Sequence, residues 1–349
     1  MTKIMFNSFI FLNFWILFVV FNTFVLKHFF KRSPAGSHDN EEKFVFIPTK
    51  LKSFDFDRTI GVFDKHRSFK IHMFSSVGDS WSNLSLSSAL CLGTQSSVDR
   101  LDNLVEIAAS WSGPISVAVF APSVELSLGL RYIQFLKQCF PKIQRQVVFH
   151  LIYPVEYHGE FGLNNINKRL MNCLEPKQEL EALMRLRPSK MLQWREEYPY
   201  PQNLLRNLAK AGCQTNFTFI PDIDMVPSQD MNLQMETFLT EHKCEKCAFV
   251  IPTYEISRKA QHLPANKTDL LTFIKEKNAR QFHQKLYSVN QKSSNLNRWE
   301  KIHQAEKMEI AYKVEKYLFK YEPIYISKSD TPQYDERFVG FGLTRNTQV

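Results

Sequence analysis

From about residue 86 the sequence alternates between short apolar runs and longer stretches with apolar residues at helical spacing. "ALCLGTQ" reads as a buried strand and a turn. "SVDRLDNLVEIAASW" follows as a helix, with Val98, Leu101, Val105 and Ala108 on one face and Ser97 as the expected N-cap. Ser112-Gly113-Pro114 breaks it. "ISVAVF" is a strand, "SVELSLGLRYIQFLKQCF" a helix and "RQVVFHLIYP" a strand again. A less regular polar stretch leads to "PQNLLRNLAKAG", a helix with Gly212 as its expected C-terminal cap, and then to the strand "NFTFI". This alternation specifies an α/β fold with a mostly parallel central sheet. Ligands of such sheets bind beyond the carboxyl ends of the strands.

Asp222 and Asp224 fall at such an end, in "NFTFIPDIDMVPSQD". Residues two apart in an extended chain point to the same side, so both carboxylates are expected to face one point while Ile223 turns to the core. Two carboxylates at one point repel unless a proton or cation sits between them. Hard oxygen ligands suit Mg²⁺ or Mn²⁺. Such a metal can hold substrate phosphates and take up charge on a departing diphosphate. Pro221 fits an extended strand end but removes one ladder N–H. A second copy of the triplet, Asp55-Phe56-Asp57, lies in an irregular region and is not expected to be a site. "DIDMV" also fits the nucleophile motif of haloacid-dehalogenase-type phosphatases. Those enzymes place that strand first in the domain, whereas here several strand–helix units precede it and no convincing acidic pair follows.

The N-terminus reads differently. Residues 4–26 carry no charge and are long enough to span a bilayer core of about 30 Å as a helix. The run is longer than the apolar stretch of a cleavable signal peptide, about 7–15 residues. The expected organisation is a cytoplasmic tail 1–3, a transmembrane signal anchor 4–26, a luminal stem 27–85 and an α/β domain 86–349. Lys27, His28, Lys31 and Arg32 outweigh Lys3 across the span, which by itself favours the opposite topology. The net charge of +9 owes much to residues before 75, and no basic stripe with interleaved aromatics follows. A membrane is therefore the expected partner and nucleic acid is not. Three sequons, at Asn83, Asn216 and Asn266, suit a luminal domain. So do six cysteines, an even count whose pairing is left open. In "HKCEKC" Cys244 and Cys247 form either a local disulfide or two free thiols, because no second Cys/His pair follows to complete a zinc site.

"NLLRNLAKAG" followed by "FTFIPDIDMVPS" resembles glycosyltransferase family 49, the β-1,4-glucuronyltransferase and LARGE glucuronyltransferase-domain type. The likeness continues in "LGTQSSVDRL", "WSGPISVAVF", "VIPTYEISRKAQHLPANKTDLL", "NRWE" and "YEPIYISKSDTPQYDERFVGFGLTRNTQ", and so covers roughly residues 86–349. The resemblance implies a GT-A-type, Rossmann-like domain in a Golgi type II membrane protein. It implies Mn²⁺, with Mg²⁺ as the alternative, on Asp222 and Asp224. It implies a UDP-sugar donor, UDP-glucuronic acid above all, transferred with inversion to a glycan acceptor on a glycoprotein. Association with another glycosyltransferase is a further expectation.

Other roles rest on position. Thr94 and Gln95, where the first strand meets its helix, either contact the nucleotide or form an ordinary turn. Arg206 and Asn207 lie on the helix before the aspartates; Arg206 either pairs with a phosphate or sugar carboxylate or sits on a solvated face. Asp335 and Glu336 are either the base that deprotonates the acceptor or ion-pair partners of Arg337 or Arg345. His283 and His303 are expected to be ordinary polar histidines. The sequence ends at Val349, whereas the family pattern continues to a metal-ligating histidine. The alternative reading is accordingly a catalytically weak Golgi protein that binds glycan or acts as a scaffold.

Overall fold

The computed structural model describes residues 56–57, 59–157, 171–303, 305, 307–318 and 320–340, and the backbone alone of 8–12 and 17–20. Two short strands, β1 (Ser8–Leu12) and β2 (Leu17–Val20), come first. β3 (Val62–Phe63), β4 (Phe69–Ser76) and α1 (Trp81–Ser87) follow. Then the expected alternation sets in. β5 (Leu90–Ser97) passes through a 3₁₀ turn, Val98–Asn103, into α2 (Leu104–Ser110). β6 (Ile115–Phe120), α3 (Glu125–Cys139), α4 (Pro141–Gln146) and β7 (Val147–Pro154) come next. α5 (Pro176–Met184), α6 (Ser189–Glu197) and α7 (Gln202–Gly212) lead to β8 (Phe217–Phe219) and β9 (Met225–Pro227). The chain continues through α8 (Met231–Glu241), β10 (Cys247–Val250), β11 (Thr253–Ile256), α9 (Lys267–Lys275) and β12 (Ala279–Gln281). A 3₁₀ turn, Ser288–Ser294, precedes α10 (Leu296–Lys301), β13 (Ile310–Val314) and β14 (Tyr325–Lys328).

The main sheet runs β13-β1-β10-β14-β8-β5-β6-β7-β4-β3 and a smaller one runs β12-β11-β2-β9. At the centre of the main sheet β8, β5, β6 and β7 are mutually parallel, while antiparallel pairs flank them. Every residue of β6 and β7 is buried, as expected of parallel strands covered on both faces. The order β8-β5-β6-β7 fixes where a ligand can bind. The chain winds one way from β5 to β7 and then returns to the other side of β5 to lay down β8. Loops leaving β5 and β8 therefore diverge, and a crevice opens between the carboxyl ends of those two strands.

α7 covers this junction. Its Leu204, Leu205 and Ala209 pack with Phe120 and Ile152 of the sheet. Gly212, expected as the C-terminal cap, is the last helical residue, with Cys213 at the cap position, and carries no positive φ. Its role is close approach: a Cβ there would lie 2.1 Å from His150 Nε2 and 2.3 Å from Ser116 Oγ. Ser97 does stand at an N-cap position, but its hydroxyl donates to Asp99 Oδ1 at 2.5 Å and makes no cap bond to the backbone. The first turn there is 3₁₀, and the single helix expected over this stretch is split in two.

Within the stretch read as stem, β4 pairs with β7 and extends the main sheet. The expected membrane helix is not found among the described residues: Ser8–Leu12 and Leu17–Val20 are strands, and the rest of 4–26 lies outside the described residues. An apolar run rich in Phe, Ile and Val satisfies either form, because periodicity alone does not separate a buried strand from a buried helix. The six cysteines pair as Cys91–Cys213, Cys139–Cys173 and Cys244–Cys247. The first of these ties β5 to the end of α7, and the last is the local bridge in "HKCEKC". All three sequon asparagines are exposed, and Asn266 caps α9 by accepting from Asp269 N at 2.9 Å.

Candidate functional site

β8 ends at Phe219, and Pro221 supplies no N–H to continue the ladder. The chain then reverses: Met225 N donates to Asp222 O at 2.9 Å, closing a turn. Asp222 and Asp224 thus stand on a turn, not on the extended strand end expected from the sequence. The outcome for the side chains is the same. Both carboxylates line one cleft of about 520 Å³, and Ile223 packs into the core.

The environment of Asp222 is built from β5 and α7. Its Oδ1 accepts from Arg206 Nη2 at 3.0 Å and from Gln95 Nε2 at 3.3 Å. Gln95 is itself held by the Tyr200 hydroxyl, which donates to its Oε1. Burial raises the Tyr200 phenol well above its ordinary range, so it stays a protonated donor. Arg206, 2% exposed, also donates from Nη1 to Asn203 Oδ1 at 3.1 Å. Arg206 and Gln95 therefore orient the carboxylate from behind. Two carboxylates in an open cleft are the donor set of a hard divalent cation that leaves its other positions to substrate oxygens. No group of three or more His, Cys, Asp or Glu that could hold a metal occurs among the described residues. The pair could hold Mn²⁺ or Mg²⁺ with substrate oxygens at the remaining positions.

The other expected residues lie elsewhere. Thr94 is fully buried in β5, off the cleft wall, and its Oγ1 has no hydrogen-bond partner among the described residues. Asn207 points away from the cleft. Its Nδ2 donates to Tyr334 O at 2.9 Å and to Glu336 Oε1 at 2.8 Å, and its Oδ1 accepts from Tyr334 N at 2.9 Å. Asn203 Nδ2 donates to Asp335 O at 2.9 Å, and Lys210 Nζ donates to Thr331 Oγ1 at 2.7 Å. The spacing 203, 207, 210 puts these side chains on one helix face. That face clamps a strap, residues 331–340, across α7. Asp335 and Glu336 belong to the strap and are absent from the cleft wall. Arg337 binds the Asp335 carboxylate and holds it below its ordinary range, which weakens it as a base. The strap nonetheless touches the site: the Arg206 guanidinium lies over the Tyr334 ring at 5.6 Å, and Gly340 N donates to Tyr200 O at 2.9 Å.

Sequence reasoning missed the far wall. Arg195, Glu196 and Glu197 of α6, with Tyr198, Tyr200 and Arg100, line the cleft. "REEYPYPQN" carries no periodicity that marks it as a site, and only the crossing of α6 over the end of β5 reveals it. Arg195 is anchored by fully buried Glu125, at 3.3 Å from Oε2, and Glu125 also binds Arg187 at 2.9 Å. His283 is half-buried and bonded through Nδ1 to Asn290 Nδ2 at 2.6 Å. Burial lowers its pKa, opposed by Glu255 and Asp222.

A family profile described as "Glycosyl-transferase for dystroglycan" matches residues 89–349. The chain is 32% identical over 271 residues to beta-1,4-glucuronyltransferase 1 of Bos taurus, covering 74% of this chain and 62% of the relative. It is 31% identical over 271 residues to the Homo sapiens protein of that name, with the same coverage of 74% and 62%. To the Homo sapiens xylosyl- and glucuronyltransferase LARGE1 it is 25% identical over 265 residues, 75% of this chain and 28% of that one. The chain thus spans less than two thirds of the length of these curated relatives.

Proposed function

The chain belongs to glycosyltransferase family 49, and from that premise we propose that it is a metal-dependent, inverting glycosyltransferase that moves glucuronic acid from UDP-glucuronic acid to a glycan on a glycoprotein. The observation that carries the reading is the placement of Asp222 and Asp224 in the cleft between β5 and β8, with Asp222 oriented by Arg206 and Gln95. Mn²⁺ or Mg²⁺ held by the two aspartates would supply Lewis acidity toward the diphosphate. An inverting transfer needs one base for the acceptor hydroxyl. Besides the aspartate pair, the carboxylates on the cleft wall among the described residues are Glu196 and Glu197, and these take that role in preference to Asp335 and Glu336.

Three disulfides and exposed sequons support a luminal setting. Localisation in the Golgi membrane as a single-pass type II protein is part of this reading; the length and lack of charge of the run 4–26 support it, while its strands Ser8–Leu12 and Leu17–Val20 do not. Association with another glycosyltransferase belongs to the same reading.

The test is thermal unfolding of the purified full chain with UDP-sugars, with and without Mn²⁺. A ligand bound only by the native state at a hundred times its Kd stabilises by about 2.7 kcal/mol. UDP-glucuronic acid is expected to raise the midpoint only with Mn²⁺, and Asp222→Asn or Asp224→Asn to remove the rise. A folded protein that no UDP-sugar shifts rules the transferase reading out. Donor binding without turnover on any acceptor points to the scaffold role.

A further inference from the structure

The cleft beside Asp222 and Asp224 holds both signs of charge, but its positive groups are not equivalent. Arg195 is already neutralised: its Nη1 is 3.3 Å from Glu125 Oε2, its Nη2 is 3.8 Å from Asp99 Oδ1, and its guanidinium lies over Phe120 at 5.4 Å. Withdrawing it would leave the fully buried Glu125 charge with Arg187 alone, a costly state. Arg206 is buried and committed to Asp222 and Asn203. Arg100 is different. It stands in the 3₁₀ turn that leaves the carboxyl end of β5, it is exposed, it lines this cleft and also a neighbouring one with Asp99 and Asp102, and it makes no salt bridge among the described residues, Asp102 being the carboxylate its charge acts on.

We infer that Arg100 reads the carboxylate of an acidic sugar in this cleft and so sets a preference for a uronic acid over a neutral hexose. The inference rests on the proposed UDP-sugar reading and deepens it. With a divalent cation on Asp222 and Asp224, a diphosphate belongs at the aspartates and the sugar extends away from them. A sugar carboxylate then meets Glu196 and Glu197 on α6, which repel it, or Arg100, which attracts it. The planar guanidinium can take both carboxylate oxygens at once, a geometry that a neutral hydroxymethyl group cannot reproduce. Arg206, the arginine singled out by sequence, lies too deep behind Asp222 for this task.

Arg100→Gln and Arg100→Lys of the full chain test it, with binding of UDP, UDP-glucose and UDP-glucuronic acid measured in Mn²⁺. Arg100 is exposed, so both variants are expected to unfold at the midpoint of the unsubstituted protein. Arg100→Gln is expected to weaken UDP-glucuronic acid by about tenfold or more, the value of one charged hydrogen bond, and to leave UDP and UDP-glucose unchanged. Arg100→Lys keeps the charge without the fork and is expected to fall between. An equal loss for all three ligands would place Arg100 on the diphosphate and overturn the inference. Unchanged affinity for UDP-glucuronic acid would overturn it too. If the unsubstituted protein binds none of the three, the UDP-sugar reading itself fails and the inference falls with it.

Discussion

Asn207 carries three hydrogen bonds to the strap, two of them to the backbone of Tyr334. Removing its amide leaves a buried N–H and C=O without their partner, at about 1–3 kcal/mol. Asn207→Ala is therefore expected to lower stability by that amount in denaturant titration. Asp222 binds Arg206, whose guanidinium lies over Tyr334, so weaker Mn²⁺-dependent donor binding is expected with it. Among the cleft acids, Glu196→Gln or Glu197→Gln should reduce turnover by about 10²–10⁴, whichever is the base, and Asp335→Asn should leave it nearly unchanged. Initial rates with an active acceptor decide between them. His150 makes a prediction about pH. Phe74 N donates to its Nδ1 at 2.9 Å, its Nε2 is 3.0 Å from Ser116 Oγ, and burial lowers its pKa to about 3. The unfolded chain binds this proton at about 6.5 and the folded chain does not. Between those values the unfolded state holds more protons, so stability falls as pH falls, by about 1.4 kcal/mol per pH unit for this one group. Midpoints should fall from pH 7 to 4, with buried His72, lowered to about 4, adding in the same direction, and His150→Gln should remove only the share of His150.

At the scale of elements, α7 does most to assemble the site. Its apolar residues bind the sheet, Arg206 holds Asp222, and Asn203, Asn207 and Lys210 hold the strap. Its polar residues were legible as a helix face but not as a buried one, because the strap comes from more than a hundred residues later in the chain. The Cys91–Cys213 bridge fixes the end of α7 to β5 across a sequence separation of 122. Replacing both cysteines by serine should cost about 3–5 kcal/mol, given the long loop the bridge closes, read as a lower midpoint in denaturant. Gly212→Ala should also destabilise, since the added methyl meets His150 and Ser116; a midpoint unchanged within error would show that the sheet yields there.

Across the whole molecule, local pattern and long-range winding made separate contributions. Residues 4–26 belong to the membrane question: if they anchor the protein, deleting them should release it from alkaline-washed membranes, and retention would place the anchor elsewhere. The sequence by itself determined the α/β class, the strand positions from β5 to β8 and the aspartate pair, because strand periodicity, helix periodicity and a proline-terminated strand are local signals. It also singled out Gln95, as a nucleotide contact or part of an ordinary turn, where the structure makes it the side chain that donates to Asp222. Only the tertiary structure decided that β8 lies beside β5 and that the aspartates sit on a turn. It alone set Arg206 behind Asp222, carried Asp335 and Glu336 to the far face of α7, and brought Arg100, Glu196 and Glu197 to the cleft. Those placements depend on contacts between residues far apart in the chain. A hydrophobic period records which face of an element is buried, but not which distant segment buries it.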